Sequence, residues 1–245
     1  MTVISSHAPS AVSFTPDDLA FLDSAWSHID SMRGHKRALA ISALCLAAAR
    51  KQPRGVFTIS GDLSHYDDGR RDIWLPLREH FAERVVDYNR TVFCNGQSCT
   101  ASSREVADLA SKQYSLVYLD PPYAPPTDDN DYIKRHHFLE GLSRYWAGDT
   151  IMESTKTKKI PKRVTPFSSR RTIVEALRDT FKRFHDSTIV LSYSSNALPD
   201  CDTILALLGE VKDDVEVRCV DHKYHYGTHS NAIRRDMSEY IFVGR

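Results

Sequence analysis

Tyr114-Ser115-Leu116-Val117-Tyr118-Leu119-Asp120-Pro121-Pro122-Tyr123 is the stretch that decides how the chain is read. Six apolar and aromatic residues run without a charge and stop abruptly at an acid and two prolines. A short run of this kind predicts a strand buried within a parallel sheet, and the prolines predict a rigid loop after it. Active groups of such sheets gather just beyond the carboxyl ends of the strands, which is where Asp120 falls. Outward from it, Thr188-Ile189-Val190-Leu191-Ser192-Tyr193 reads as a second buried strand ending in Ser194-Ser195-Asn196. Helical spacing predicts helices at about 132–146, 170–184 and 200–209, with strands at about 214–220 and 240–243. The second half is therefore expected to alternate β-α-β and finish on an antiparallel pair.

The first ninety residues read differently. Thr15 is placed to cap a helix over 17–30, with Pro16 at its first position and Asp17 and Asp18 at its positive end. A second helix is expected over 34–50. Its segment HKRALAISALCLAAARK is apolar on nearly all sides, which predicts a buried helix. Val56-Phe57-Thr58-Ile59 reads as a short extended piece, Gly61 to Asp72 as a loop, and 75–92 as a helix facing inward with Leu77, Phe81, Val85, Val86 and Tyr88. The expected organisation is a helical arm over 1–92, part of a DNA-recognition region, and a catalytic core over 93–245.

Bulk properties exclude some classes and choose none. With 41% hydrophobic and 26% charged residues the chain is neither disordered nor membrane-like, and no apolar run approaches ~18 residues, so a soluble cytoplasmic protein is expected. The 32 basic residues are matched by 32 acidic ones, so a nucleic-acid partner has to be met by a local patch. Cys45, Cys94, Cys99, Cys201 and Cys219 are scattered, odd in number and free of C-x-x-C spacing, which predicts reduced thiols.

Asp120-Pro121-Pro122-Tyr123 suits one reaction in particular. An exocyclic amino group on adenine is a poor nucleophile because its lone pair is delocalised into the ring, so it needs acceptors on its hydrogens and alignment with a methyl donor. The Asp120 carboxylate can take one N–H and the carbonyl between the prolines the other. Pro121 and Pro122 fix φ and offer no N–H of their own. Tyr123 supplies a face on which an extruded base can stack.

The segment LVYLDPPYAPPTDDNDYIKRHHFLEGLSRYW resembles the DNA adenine methylase family of the Dam type, or D12 class. The likeness extends through Phe14 to Asp23, Lys51 to Thr58, Thr155 to Phe167, Leu191 to Asn196 and Lys223 to His229. It implies an α/β chain of Rossmann-like class I methyltransferase fold, S-adenosylmethionine as donor, and a flipped adenine in double-stranded DNA as acceptor. It also gives Asp120, Pro121, Pro122 and Tyr123 the catalytic roles, with Asp120 bordering the donor site. Asp as the first letter favours adenine over cytosine N4. The departure is equally plain. That family opens with a basic segment and a glycine-rich Phe-x-Gly-x-Gly loop for the donor, whereas none of the ten glycines here forms a G-x-G pair. The expected fold is therefore incomplete, short of two strands, and the expectation is that the chain is truncated or that a second polypeptide carries the donor loop. The competing reading is a degenerate, inactive remnant that binds DNA only; methylation of RNA or protein is a further alternative.

Lys156, Lys158, Lys159, Lys162 and Arg163, followed by Arg170 and Arg171, form a basic run suited to phosphate contacts. The acidic stretch Thr127 to Tyr132 suits a helix cap. His136 and His137 point to different helix faces, so no metal pair is expected. His222, His225 and His229 lie in a segment read as a hairpin arm near DNA, where Lys223, Arg234 and Arg235 are candidate phosphate contacts. Methyl transfer from a sulfonium needs no metal, and none is expected.

Overall fold

A computed structural model describes residues 14–53, 57, 71–111, 114–124, 132–223 and 236–245. The chain divides into two compact units: Met1–Gln97 with Tyr132–Arg163, and Ser98–Asp131 with Val164–Arg245. The helical unit thus takes in Tyr132–Arg163, a segment that the sequence reading joined to the catalytic core.

In the helical unit, α1 (Pro16–Ser31) starts as its sequence demands. The Thr15 hydroxyl accepts from the Asp18 N–H and the Asp18 carboxylate accepts from the Thr15 N–H, a reciprocal capping box with Pro16 in the first turn. Next come α2 (Gly34–Arg50), α3 (Leu77–Thr91) and α4 (Tyr132–Arg144). Leu22, Trp26 and Ile29 of α1, Leu44, Ala47 and Ala48 of α2, Leu77, and Phe138, Leu142 and Trp146 form one core with Phe57. The expectation of an all-round buried α2 is corrected: only the stripe Ala43, Leu44, Ala47 and Ala48 is buried, while Leu39 and Leu46 are exposed. Its many alanines make the helix apolar without widening the packed face. Of the extended piece 56–59 only Phe57 falls within the described residues, and its ring stacks on Phe138 at 5.0 Å. Most of the loop 61–72 and the acidic stretch 127–131 lie outside them.

The end of α4 is unusual. Tyr145 and Trp146 both take positive φ, 55° and 56°, conformations that cost an L-residue about 1–2 kcal/mol each. Packing holds them there. Tyr145 stacks on Trp26 at 5.4 Å with ring planes 5° apart, and its hydroxyl donates to the Asp23 carboxylate at 2.6 Å. The Trp146 N–H donates to the Gly141 carbonyl at 2.7 Å, and its indole lies where a side chain on residue 141 would go. A Cβ there would sit 2.1 Å from the indole Nε1. Gly141→Ala is therefore expected to destabilise the helical unit by about 2 kcal/mol through overpacking. Urea unfolding followed by tryptophan fluorescence checks it, since Trp26, Trp74 and Trp146 all belong to this unit.

The second unit is a mixed four-stranded sheet with helices on one face. In chain order it contains β1 (Leu116–Leu119), α5 (Ile173–Arg183), β2 (Thr188–Ser194), α6 (Cys201–Gly209), β3 (Val215–Lys223) and β4 (Asp236–Gly244). Spatial order is β1-β2-β4-β3: β1 and β2 are parallel, and β4 runs antiparallel to both β2 and β3. The β-α-β alternation and closing antiparallel pair match the sequence reading. Ile173, Leu177 and Phe181 recur every four residues on α5, and with Ile204, Leu207 and Leu208 of α6 they pack on Ile189, Leu191, Tyr193 and Phe242.

The expectation of a β1 buried on both sides is corrected. Among the described residues it is an edge strand whose residues alternate: Val117 and Leu119 turn to the core, whereas Leu116 and Tyr118 are 57% and 58% exposed. A continuous apolar run does not distinguish burial in the chain's own core from an apolar face left open. No helix among the described residues is long and apolar enough to cross a membrane.

Candidate active site

Asp120 follows the last residue of β1 and is exposed; Pro121 is half-buried, Pro122 exposed and Tyr123 half-buried. Because Leu119 pairs with Leu191 in a parallel register, Asp120 emerges at the same sheet edge where β2 runs on to Ser194. A parallel sheet collects its loops there.

The loop is held from behind. Ala124, fully buried, forms an isolated antiparallel bridge with Leu198, whose N–H donates to the Ala124 carbonyl at 2.9 Å. The Tyr123 ring meets the Tyr193 ring edge-on at 5.2 Å and 72°. Tyr193 is fully buried, and its hydroxyl donates to the Leu198 carbonyl. Burial, with Tyr123 alongside, pushes the Tyr193 phenol well above its ordinary pKa, so it stays protonated and keeps its donor. The four motif residues are thus fixed at both ends, by β1 and by the loop after β2, with the carboxylate projecting outward. Tyr193 is a positioning residue that the sequence reading placed only in a strand. Its signal was the phenol at the end of an apolar run, since a buried Tyr hydroxyl needs a partner.

At the same edge, Ser194, Ser195, Pro199, Asp200, Cys201, Asp202 and Tyr240 line a hollow of about 180 Å³. Asp200 caps α6, accepting from the Thr203 N–H at 2.9 Å, and the Ser194 hydroxyl donates to the Asn196 side-chain carbonyl at 2.9 Å. These side chains close the strand ends internally.

Of the basic run, Lys156 to Arg163 belong to the helical unit, whereas Arg170 and Arg171 belong to the other. Met152 N–H donates to the Lys159 carbonyl at 2.8 Å, and the Thr155 hydroxyl accepts from the Lys159 N–H at 3.0 Å, folding 152–159 into a turn anchored by buried Ile160. Lys158 donates to Glu153. Arg163 lies 3.5 Å from Glu140 and 3.8 Å from Asp149, and Arg144 contacts the same two carboxylates at 2.9 and 2.6 Å. Lys156 and Lys162 are exposed, and Lys159 is half-buried. Lys158 thus pairs within the turn and Arg163 with carboxylates of Glu140 and Asp149. Lys223 ends β3, its side chain outside the described residues, as are Arg234, Arg235, His225 and His229.

His137 is buried, with Nε2 3.0 Å from the Phe57 carbonyl; burial pulls its pKa down to about 4, so it is a neutral donor in the core. All five cysteines are free thiols, and among the described residues no cluster of His, Cys, Asp or Glu has the geometry to hold a metal ion.

The chain is similar to the type II methyltransferase M2.HphI of Haemophilus parahaemolyticus, 28% identical over 228 residues. The match covers 88% of this chain and 64% of that protein, so the chain spans less than two thirds of the relative's length. No protein-family model matches the chain, and no solved structure matches it.

Proposed function

We propose that the chain carries the base-binding part of a DNA adenine-N6 methyltransferase with a Rossmann-like sheet, whose donor loop lies outside these 245 residues, on a longer form of the chain or on a second polypeptide. The observation that carries this reading is the exposed Asp120 at the carboxyl end of β1, on a loop pinned by the Ala124–Leu198 bridge and the Tyr123–Tyr193 contact. Similarity to a type II methyltransferase supports it.

S-adenosylmethionine, when bound, supplies an already activated methyl group. The residues present fit part of that group's surroundings. Asp120 offers an exposed carboxylate beside an open strand edge, while no G-x-G loop exists in the sequence to wrap the donor's amino-acid end. The chain's own residues deal with the base. Asp120 accepts one hydrogen of the amino group and the Pro121 carbonyl the other, drawing the nitrogen out of conjugation. Neither proline nitrogen can donate, so nothing in that part of the loop competes for the lone pair. Tyr123, braced by Tyr193, stacks on the extruded ring.

Double-stranded DNA is positioned by Lys156, Lys158, Lys159, Lys162, Arg163 and Lys223 in this reading, with the helical arm as part of the recognition region. Replacing Lys156 and Lys162 by Ala is expected to lower the slope of log K against log salt by about 2, close to 0.9 per phosphate contact, with little change in the preferred sequence. Titrations at several salt concentrations check this.

The test of function incubates the chain with labelled S-adenosylmethionine and DNA, alone and together with any polypeptide encoded beside it that carries Phe-x-Gly-x-Gly. Label is expected on adenine N6 when both polypeptides are present. Absence of label in both conditions overturns the reading in favour of an inactive DNA-binding remnant; label on RNA or on protein overturns it in favour of another substrate.

A further inference from the structure

We infer that Arg33, Lys36 and Arg37, where α1 passes into α2, join the basic turn that ends at Arg163 in one phosphate-binding face of the helical unit, along which the backbone of duplex DNA lies. The inference rests on the DNA reading above and adds contacts from a part of the chain well separated in sequence from the basic run.

Arg33-Gly34-His35-Lys36-Arg37 stands where a helix least tolerates it. These residues cap and begin α2, whose first turn contains no acid and whose cap makes no side-chain hydrogen bond. A helix presents the positive end of its dipole there, so each cation weakens α2 rather than supporting it. By contrast, α1 starts on Asp17 and Asp18, the arrangement that the dipole favours. The charges are not cancelled locally either. Lys36 is exposed and takes part in no ion pair among the described residues. Arg33 is exposed and donates to the Asp30 and Met32 carbonyls, both at 3.0 Å, which holds the guanidinium without neutralising it. The acid beside them is Asp30, 3.4 Å from Arg37 and itself 72% exposed. A positive surface kept against the preference of its own helix suits an anionic partner.

This patch continues into the basic turn. The Arg37 guanidinium lies over the Trp26 ring, 5.6 Å from its centroid. Trp26 stacks on Tyr145, and the neighbouring Arg144 reaches Asp149, which Arg163 also meets. An unbroken series of side-chain contacts thus runs from the start of α2 to the end of the turn, all within one compact unit. The Asp149 side chain is 1% exposed and that of Arg163 54%, so the acid lies beneath and the cation faces outward.

The partner follows from extent and from the packing of the rings. Duplex DNA carries one charge per ~1.7 Å of its axis, so a long row of cations meets it at several phosphates at once. The aromatic rings in the series are packed on each other, with Trp26 only 5% exposed, rather than standing out as a platform for unpaired bases. Such a face grips a backbone and sets the register of the duplex without reading its sequence.

The test measures binding of the full chain to duplex DNA of mixed sequence over a range of salt concentrations, without methyl donor. Arg33→Gln with Lys36→Gln is expected to lower the slope of log K against log salt by about 2 and to weaken binding roughly 30-fold at physiological salt. Combined with Lys156→Ala and Lys162→Ala, it is expected to lower the slope by about 4 in all, because both sets touch one duplex. Arg78→Gln lies at the start of α3, beside the end of α2 and so at the far end of the same helices, and is expected to leave the slope unchanged. Lys36→Glu separates binding from folding: an acid suits the positive helix end, so the unfolding midpoint is expected to hold or rise while affinity falls. An unaltered slope in Arg33→Gln with Lys36→Gln, an equal loss in Arg78→Gln, or a lower midpoint in Lys36→Glu overturns the inference. So does dependence on these residues for binding phosphatidylserine vesicles but not duplex DNA. Duplex binding that needs Arg33 and Lys36, in a protein that transfers no methyl group under any condition, overturns the methyltransferase reading and leaves this face standing.

Discussion

Replacing Asp120 by Ala is expected to lower methyl transfer by about 1,000-fold or more while leaving the fold intact. Two features separate these outcomes. The carboxylate is exposed at the end of β1, so its removal opens no cavity and strands no buried partner. The loop is fixed instead by the Ala124–Leu198 bridge and the Tyr123–Tyr193 contact, neither of which uses the Asp120 side chain. In the proposed reaction transfer depends on drawing the amino nitrogen toward a geometry it does not adopt alone, and the Pro121 carbonyl by itself would take only one of the two hydrogens. Asp120→Asn is the sharper variant, since the amide keeps shape and one acceptor but brings a competing donor. Single-turnover transfer with the complete enzyme, beside thermal unfolding of each variant, is the measurement. Near-normal transfer by Asp120→Ala would remove Asp120 from the chemistry; a large loss of stability would make it structural.

Local signals were legible where a few neighbouring residues settle the outcome. Thr15, Pro16 and Asp18 fixed the start of α1 because a capping box spans only four successive positions. The strand and loop around Asp120 followed from a charge-free run halted by two prolines, which bond no ladder. Long-range facts were not legible. Tyr132–Arg163 joins the helical unit because Phe138, Leu142 and Trp146 find Phe57, Trp26 and Leu44, partners some 80 to 120 positions away in sequence. Likewise, the exposure of Leu116 and Tyr118 depends on what lies beyond the outer edge of β1, where no described strand pairs, and four apolar letters are the same with or without a neighbour there. For the site, the motif could be read, but the Tyr193 brace required knowing that residues 123 and 193 meet.

Asp18→Ala is expected to destabilise the helical unit by about 4 kcal/mol, the largest stability effect the structure indicates, because one carboxylate joins three elements. Its oxygens accept from the Thr15 N–H at 2.9 Å, closing the cap of α1, and from the Leu77 N–H at 2.8 Å, at the start of α3. They also lie 3.2 Å from the ammonium of Lys51, at the end of α2, and both side chains are under 5% exposed. Without Asp18, Lys51 keeps, among the described residues, the Leu75 carbonyl at 2.7 Å, and a buried charge loses the counter-ion beside it. Lys51→Met in the Asp18→Ala background is therefore expected to restore part of the loss, which distinguishes a stranded charge from a lost cap. Burial by itself would raise the Asp18 pKa, but the Leu77 and Thr15 amides and the Lys51 charge outweigh it and hold the group below its ordinary 3.8. The folded state then binds its proton less readily than the unfolded one, so this contribution is present above pH 3.8 and is lost as pH falls through the lower folded value. His137 acts over a separate window. Its pKa falls from 6.5 to about 4, so the unfolded chain takes up a proton first and stability declines between those limits. Urea midpoints of the helical unit, read by tryptophan fluorescence, are expected to fall in both windows for the unsubstituted chain; Asp18→Ala retains the loss between pH 6.5 and 4 and is relieved of Asp18's share of the loss below it. An unchanged acid profile in Asp18→Ala would place the lost stability in the capping hydrogen bonds rather than in the charge.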